Sequence, residues 1–182
     1  MRDEKEQDVP KSSVQVNGRT IYFFGEVHYL SACELNIVLD ELEKKSRKPI
    51  EIVLNSPGGN VYDGLNIYDR IRYSKCPIGI VGTGLVASMA LIIFLAGKIR
   101  YVTPNTILMN HQIASEVQGK YNDLKVELEE INRLEDLCVS LIAERTGLSA
   151  KKIKADIKKG DDYIDVNRAI KEGFAHKILG GN

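Results

Sequence analysis

Ile78-Gly79-Ile80-Val81-Gly82-Thr83-Gly84-Leu85-Val86-Ala87-Ser88-Met89-Ala90, continued by the apolar residues 91–96, is the stretch whose reading decides the fold. Residues 78–81 form a short apolar run, the pattern of a buried strand. Gly82-Thr83-Gly84 breaks that run. Residues 87–96 are nearly all apolar, so a helix there is enclosed by the domain. A strand thus feeds a buried helix through a Gly-rich turn, and Ser88 lies where the helix opens.

Working outward, the same alternation repeats. Residues 19–24 read as a strand and 30–45 as a helix, with Leu30, Leu35, Val38, Leu39 and Leu42 at three- and four-residue steps. A strand at 50–54 leads into the turn cluster Asn55-Ser56-Pro57-Gly58-Gly59, and Val61, Leu65, Tyr68 and Ile71 mark the next helical face. Short strands follow at 99–102 and 107–109. The longest helix covers about 122–146, with Leu124, Leu128, Ile131, Leu134, Cys138 and Leu141 in one stripe and Gly147 as its stop. Ser149 and Asp165 read as N-caps of two further helices. Gly173 ends the last helix, and 174–179 closes the chain as a strand. Strands alternating with helices define a single α/β domain over 18–182. Residues 1–17 are polar and aperiodic, the pattern of a flexible arm.

Composition narrows the function. Lys plus Arg and Asp plus Glu both number 25, so the net charge is zero. Nothing here favours nucleic acid or an anionic membrane, which would call for a basic bias. The most apolar stretch, 86–96, is half the length of about 20 residues that a membrane helix needs. Cys33, Cys76 and Cys138 lie far apart without CxxC spacing, so no zinc ribbon or redox motif is available. They read as plain thiols of a reducing, cytoplasmic compartment.

Gly82-Thr83-Gly84-Leu85-Val86-Ala87 matches a dinucleotide fingerprint, which also requires an acidic residue about 20 positions on. No Asp or Glu occurs from Leu85 to Ser115. A Walker A string and a GxSxG elbow are both absent. No cofactor or metal is expected. Ser88 has the setting of a nucleophile, since a helix N-terminus offers free N–H groups and a positive dipole end. It also has the setting of a plain N-cap. Of the three histidines, His111 follows an apolar strand and is flanked by Asn110 and Gln112, whereas His28 and His176 both suit surface positions. The Gly59 N–H is placed to face a developing oxyanion or to belong to a simple tight turn. The pattern alone does not choose an acid among 25.

With these strings in order, the chain resembles the ClpP family, the proteolytic subunits of the caseinolytic proteases, from about residue 19 to 179. Asn-Ser-Pro-Gly-Gly stands at 55–59, Asp63-Gly64-Leu65 and Ile67-Tyr68-Asp69 follow, and Gly84-Leu85-Val86-Ala87-Ser88-Met89-Ala90 occupies the nucleophile segment. Pro104-Asn105, Met109, His111-Gln112, Gln118-Gly119, Thr146-Gly147 and the Asp161, Ala169, Gly173 spacing complete the match. The resemblance implies a ββα spiral of the crotonase type with a protruding long-helix handle. It implies a triad of Ser88, His111 and Asp161, an oxyanion hole of the Gly59 and Met89 N–H groups, and substrate pairing at Gln118 and Gly119. It further implies two stacked heptameric rings that degrade unfolded proteins fed by a Clp-type unfoldase ATPase. Ala90 stands where the family has Gly, Ile113 where it has Pro, and Gly160 where it commonly has an Arg that helps rings pair. Glu51-Ile52-Val53 replaces tyrosines that often line the ATPase-docking pocket. This drift suits a divergent or phage-encoded member. A phage head-maturation protease and a non-catalytic ring subunit are the alternatives on the same fold.

Overall fold

The structure, a computed structural model, describes residues 13–116 and 118–180. Strands β1 (Val14–Asn17) and β2 (Thr20–Phe24) form an antiparallel hairpin through Gly18 and Arg19. Gly18 has φ 62° at the first central position of this two-residue loop, the position where a hairpin turn of this hand requires glycine. Residues 14–17 therefore differ from the expected flexible arm. Val14 is buried opposite Phe23, and that contact fixes the register. The rest of the expected arm, residues 1–12, lies outside the described residues.

The central layer grows by parallel crossovers. Helix α1 (Tyr29–Lys45) links β2 to β3 (Ile50–Ser56), and α2 (Val61–Arg72) links β3 to β4 (Ile78–Ala87). After α3 (Met89–Ala96), β5 (Ile99–Val102) pairs parallel with β4, and β6 (Ile107–Asn110) pairs parallel with the far end of the same strand. Helices α4 (Tyr121–Thr146) and α5 (Ala150–Ile157) precede β7 (Asp162–Ile164), which pairs antiparallel with β6. Helix α6 (Val166–Lys171) and β8 (Lys177–Ile178), on the edge of β5, finish the domain. The sheet order is β1-β2-β3-β4-β5-β8, with β6 and β7 branching from β4.

The branch explains one departure from the sequence reading. Gly82-Thr83-Gly84 does not break β4; the strand runs through it. Leu54 pairs with Gly82 and Ser56 with Val86, so Thr83, Gly84 and Leu85 oppose Asn55 alone. This bulge turns the strand away from β5, which pairs with 79–82, and towards β6, which pairs with 85–87. Gly84 takes φ 56°, and the Asn55 Oδ1 accepts the Leu85 N–H at 3.2 Å. The glycines thus serve a strand fork, with no loop left to cradle a phosphate.

All eight residues of α3 are buried, as their all-apolar character requires. The C-terminal end of α3 is fixed by Arg100, 3 % exposed, whose guanidinium donates to the carbonyls of Gly97, Arg145, Gly173 and Phe174. The ends of α3, α4 and α6 meet there, and their carbonyls stand in for a carboxylate partner. The buried residues of helix α4, Leu134, Val139 and Ile142, all lie in its second half; in the first half Val126 and Leu128 are exposed, and Glu130 accepts a hydrogen bond from the Tyr62 hydroxyl. The α5 and α6 caps are as expected: Ser149 accepts the Lys152 N–H, and Asp165 accepts those of Asn167 and Arg168.

Candidate active site

Ser88 occupies the single residue between β4 and α3. It has φ 56° and ψ −127°, and it is the one non-glycine residue with positive φ among the described residues. Such a conformation costs about 1–3 kcal/mol and persists only where neighbours enforce it. Here the Ser88 N–H donates to the Met109 carbonyl at 2.9 Å, and its own carbonyl accepts the Leu91 N–H at 2.9 Å. The turn holds the side chain clear of the helix. Ser88 sits at the N-cap position but makes no capping bond. Its Oγ lies 2.7 Å from Nε2 of His111 instead.

Sheet register brings these two residues together. Ala87 pairs with Met109 across β4 and β6, so Ser88 and His111 emerge side by side from the ends of parallel strands. The third expected residue arrives by a route invisible in the local pattern. Asp162 begins β7, where a turn between helices was expected, and pairs with Asn110. Antiparallel register then sets Asp161 opposite His111. The Asp161 Oδ1 is 4.0 Å from His111 Nδ1, and the Asp161 side chain is 53 % exposed. Gly160, just before it, takes φ 129°, a conformation that favours glycine. Asp162 faces elsewhere: Arg168 holds both its oxygens.

The Asn55–Gly59 turn packs directly on the serine. A Cβ on Gly58 would lie 2.6 Å from Ser88 Cβ and 2.7 Å from the Ala87 carbonyl oxygen. Gly59, at φ 148°, bridges to Val27, whose N–H donates to Gly58 and whose carbonyl accepts from Asn60. That bridge leaves the Gly59 N–H outside its hydrogen bonds. The Met89 N–H is the first of α3 and has no partner within the helix. Gly64 leaves room for the Met89 side chain, whose Cε would stand 2.5 Å from a Cβ there. Ala90 is fully buried in the first turn of α3.

A cavity of ≈ 270 Å³ opens beside Ser88, and Gly59, Met89 and His111 line it with the serine. Gln118 and Gly119 are exposed, lie outside any strand and do not line it. The other two histidines have structural work. The His28 Nδ1 accepts the Ser31 N–H at the start of α1, and the Ser31 Oγ accepts the His28 N–H in return. The His176 Nδ1 accepts the Arg100 N–H at 2.9 Å. Desolvation, with Arg100 and Arg145 nearby, lowers the His176 pKa and favours its neutral form. Reasoning from sequence passed over β7 and the Arg168 clamp on Asp162. The paired glycines at 58–59 did carry a signal, because consecutive glycines after a strand mark close backbone approach.

A serine hydroxyl on an imidazole, beside backbone N–H groups left out of the secondary structure, has the chemistry of a serine hydrolase, mounted here at a fork in an α/β sheet. The family model described as Clp protease matches residues 3–182, and the chain belongs to that family. It is 32% identical over 184 residues to the ATP-dependent Clp protease proteolytic subunit 2 of Gluconobacter oxydans, covering 97% of this chain and 82% of that one. It is 28% identical over 181 residues to proteolytic subunit 1 of Rhodopirellula baltica, covering 98% and 79%. Among solved structures, a point mutant of ClpP1 from Listeria monocytogenes superposes with a TM-score of 0.83 at 35% identity, covering 91% of this chain and 93% of that one. The fold is thus the ClpP fold in a single domain.

Proposed function

We propose that this chain is a serine endopeptidase subunit with Ser88 as nucleophile, His111 as general base and acid, and Asp161 as the group that orients the imidazole. The observation that carries this reading is the 2.7 Å contact between Ser88 Oγ and His111 Nε2, made from the positive-φ turn that joins β4 to α3. His111 Nε2 takes the hydroxyl proton as Oγ attacks the scissile carbonyl carbon. The carbonyl oxygen becomes an oxyanion and is met by the Gly59 and Met89 N–H groups. The tetrahedral intermediate collapses, the C–N bond breaks, and His111 delivers its proton to the leaving amine. Water then attacks the acyl-serine, giving a proton to His111, which returns it to Ser88 as the carboxylic acid leaves.

The relatives' names place them in ATP-dependent proteases, and no helix in the described residues is long and apolar enough to cross a membrane. In keeping with this, we assign the chain to stacked heptameric rings in the cytoplasm that hydrolyse unfolded proteins delivered by a Clp-type unfoldase ATPase. Labelling by a fluorophosphonate and hydrolysis of a fluorogenic peptide test the chemistry. Both are expected in the wild type and absent in Ser88→Ala. Equal labelling of the variant would remove Ser88 from the mechanism.

A further inference from the structure

The cavity beside Ser88 is walled by apolar side chains, Val61, Ile92, Val139 and Ile142 among them, and by one carboxylate, Glu135. Glu135 stands four residues before Val139 on α4 and three before Cys138, so all three share a helical face. Its charge is felt on that face. Burial, and then the Glu135 carboxylate, push the Cys138 thiol up to about 11.

Three other carboxylates drawn away from solvent have cations of their own. Glu43 holds Arg70, Asp162 holds Arg168, and Glu172 holds Arg168 and Lys152. Among the described residues, no hydrogen bond or ion pair is made by Glu135. Lys154, the cation that feels its field, is bridged to Asp136 instead. Glu135 therefore brings a carboxylate without a bonded cation to the cavity wall, next to the apolar side chains of Val139 and Ile142. Such a site satisfies itself with a cation whose stem is apolar.

We propose that Glu135 sets the substrate specificity of this site: the residue on the acyl side of the scissile bond is a lysine or arginine, its methylenes along Val139 and Ile142 and its charge at Glu135. The proposal rests on Ser88 being the nucleophile. A carboxylate in the pocket that receives this residue selects basic side chains, and an acidic side chain there meets a like charge.

The test uses the assembled protein and fluorogenic peptides that differ only at this position: lysine, arginine, norleucine (the lysine-like stem without the charge) and glutamate. In the wild type, kcat/KM for lysine and arginine is expected to exceed that for norleucine by about tenfold, the scale of one charge-assisted bond. E135Q is expected to bring the lysine-to-norleucine ratio close to one, and E135K to favour glutamate. Norleucine cleaved as well as lysine by the wild type, or an unchanged ratio in E135Q, overturns the proposal. Should no peptide be cleaved and no fluorophosphonate react, the peptidase reading fails by itself. Fluorescence polarisation with labelled lysine and norleucine peptides on Ser88→Ala then decides the question for Glu135. Tighter lysine binding that is lost in the Ser88→Ala, Glu135→Gln double variant supports it, and equal binding overturns it.

Discussion

His111 Nδ1 stands 4.0 Å from the Asp161 Oδ1, within reach of charge attraction but beyond a hydrogen bond. The imidazole is therefore held firmly on its Ser88 side and loosely on its Asp161 side. A short movement of the exposed Asp161 side chain closes the gap, and the β6–β7 pairing limits how far the backbone follows. Asp161→Asn is expected to lower kcat for peptide hydrolysis by about 10²–10⁴ while leaving the fold intact, the range expected when the orienting acid is lost. The contrasting variant is Asp162→Asn. It loosens the Arg168 clamp, so its effect is expected on thermal stability first. Peptide kinetics and melting curves on both variants separate the two acids, and a larger kinetic loss in Asp162→Asn would reassign the role.

Gly58 meets Ser88 at the closest approach of the two turns. A methyl at Gly58 has nowhere to go, since it would meet Ser88 Cβ at 2.6 Å and backbone at 2.7 Å and 3.0 Å, on a residue already at φ 94°. The 56–59 turn must retreat, and the Gly59 N–H retreats with it. Gly58→Ala is expected to lower kcat by about 10²–10³, the cost of losing one oxyanion donor. Steady-state kinetics check it. Near wild-type kcat would show that this turn does not face the reacting carbonyl.

The alternation of strands and helices, the caps at Ser149 and Asp165 and the enclosed character of α3 were all readable in the sequence, because each depends on local pattern. The strand fork was not. Gly82-Thr83-Gly84 looks like a strand end, and only the pairing of Asn55 against three residues turns it into a bulge. Asp161 was not legible from pattern either: its place beside His111 depends on the Asn110–Asp162 pair, which joins residues 52 positions apart. Family resemblance supplied that residue where local physics had no means to do so. The cap made by His28 escaped for the same reason, since it needs neighbours that spacing does not reveal; His176 is exposed, in line with its expected surface position, and its bond to the Arg100 N–H was likewise not legible.

Among the described residues, Arg100 is a buried cation with no carboxylate partner. Burial lowers its pKa to about 10, yet it stays protonated at neutral pH and satisfies four carbonyls. Removing it takes the donor from the Arg145, Gly173 and Phe174 carbonyls, while Arg145 still donates to Leu95 and Gly97. Arg100→Ala is expected to destabilise the protein by about 3 kcal/mol, from the unpaired polar groups and the lost packing together. Arg100→Lys recovers only part of this, because one ammonium does not span four acceptors set around a planar fork. Denaturant titration of both variants gives the comparison, and equal stability of wild type and Arg100→Ala would refute the assigned role.

Glu43 contributes to the acid sensitivity of the fold. Its burial opposes ionisation, but Arg70, Ser74 and the Lys75 N–H together hold its pKa at about 2. A carboxyl whose pKa is lowered on folding stabilises the folded state above its unfolded pKa, near 4.3, and that stabilisation fades as pH falls through the folded value. The shift corresponds to on the order of 3 kcal/mol at neutral pH. The contact ties α1 to the end of α2 and to the turn that leads into β4, so its loss is felt as unfolding rather than as altered chemistry at Ser88. Comparing wild type with Glu43→Gln by denaturant titration should give the full difference at pH 7. Linkage reduces it to about half near pH 3 and to little by pH 2. A difference that stays constant from pH 7 to pH 2 would mean that the carboxylate is not what holds Arg70 and Ser74 together.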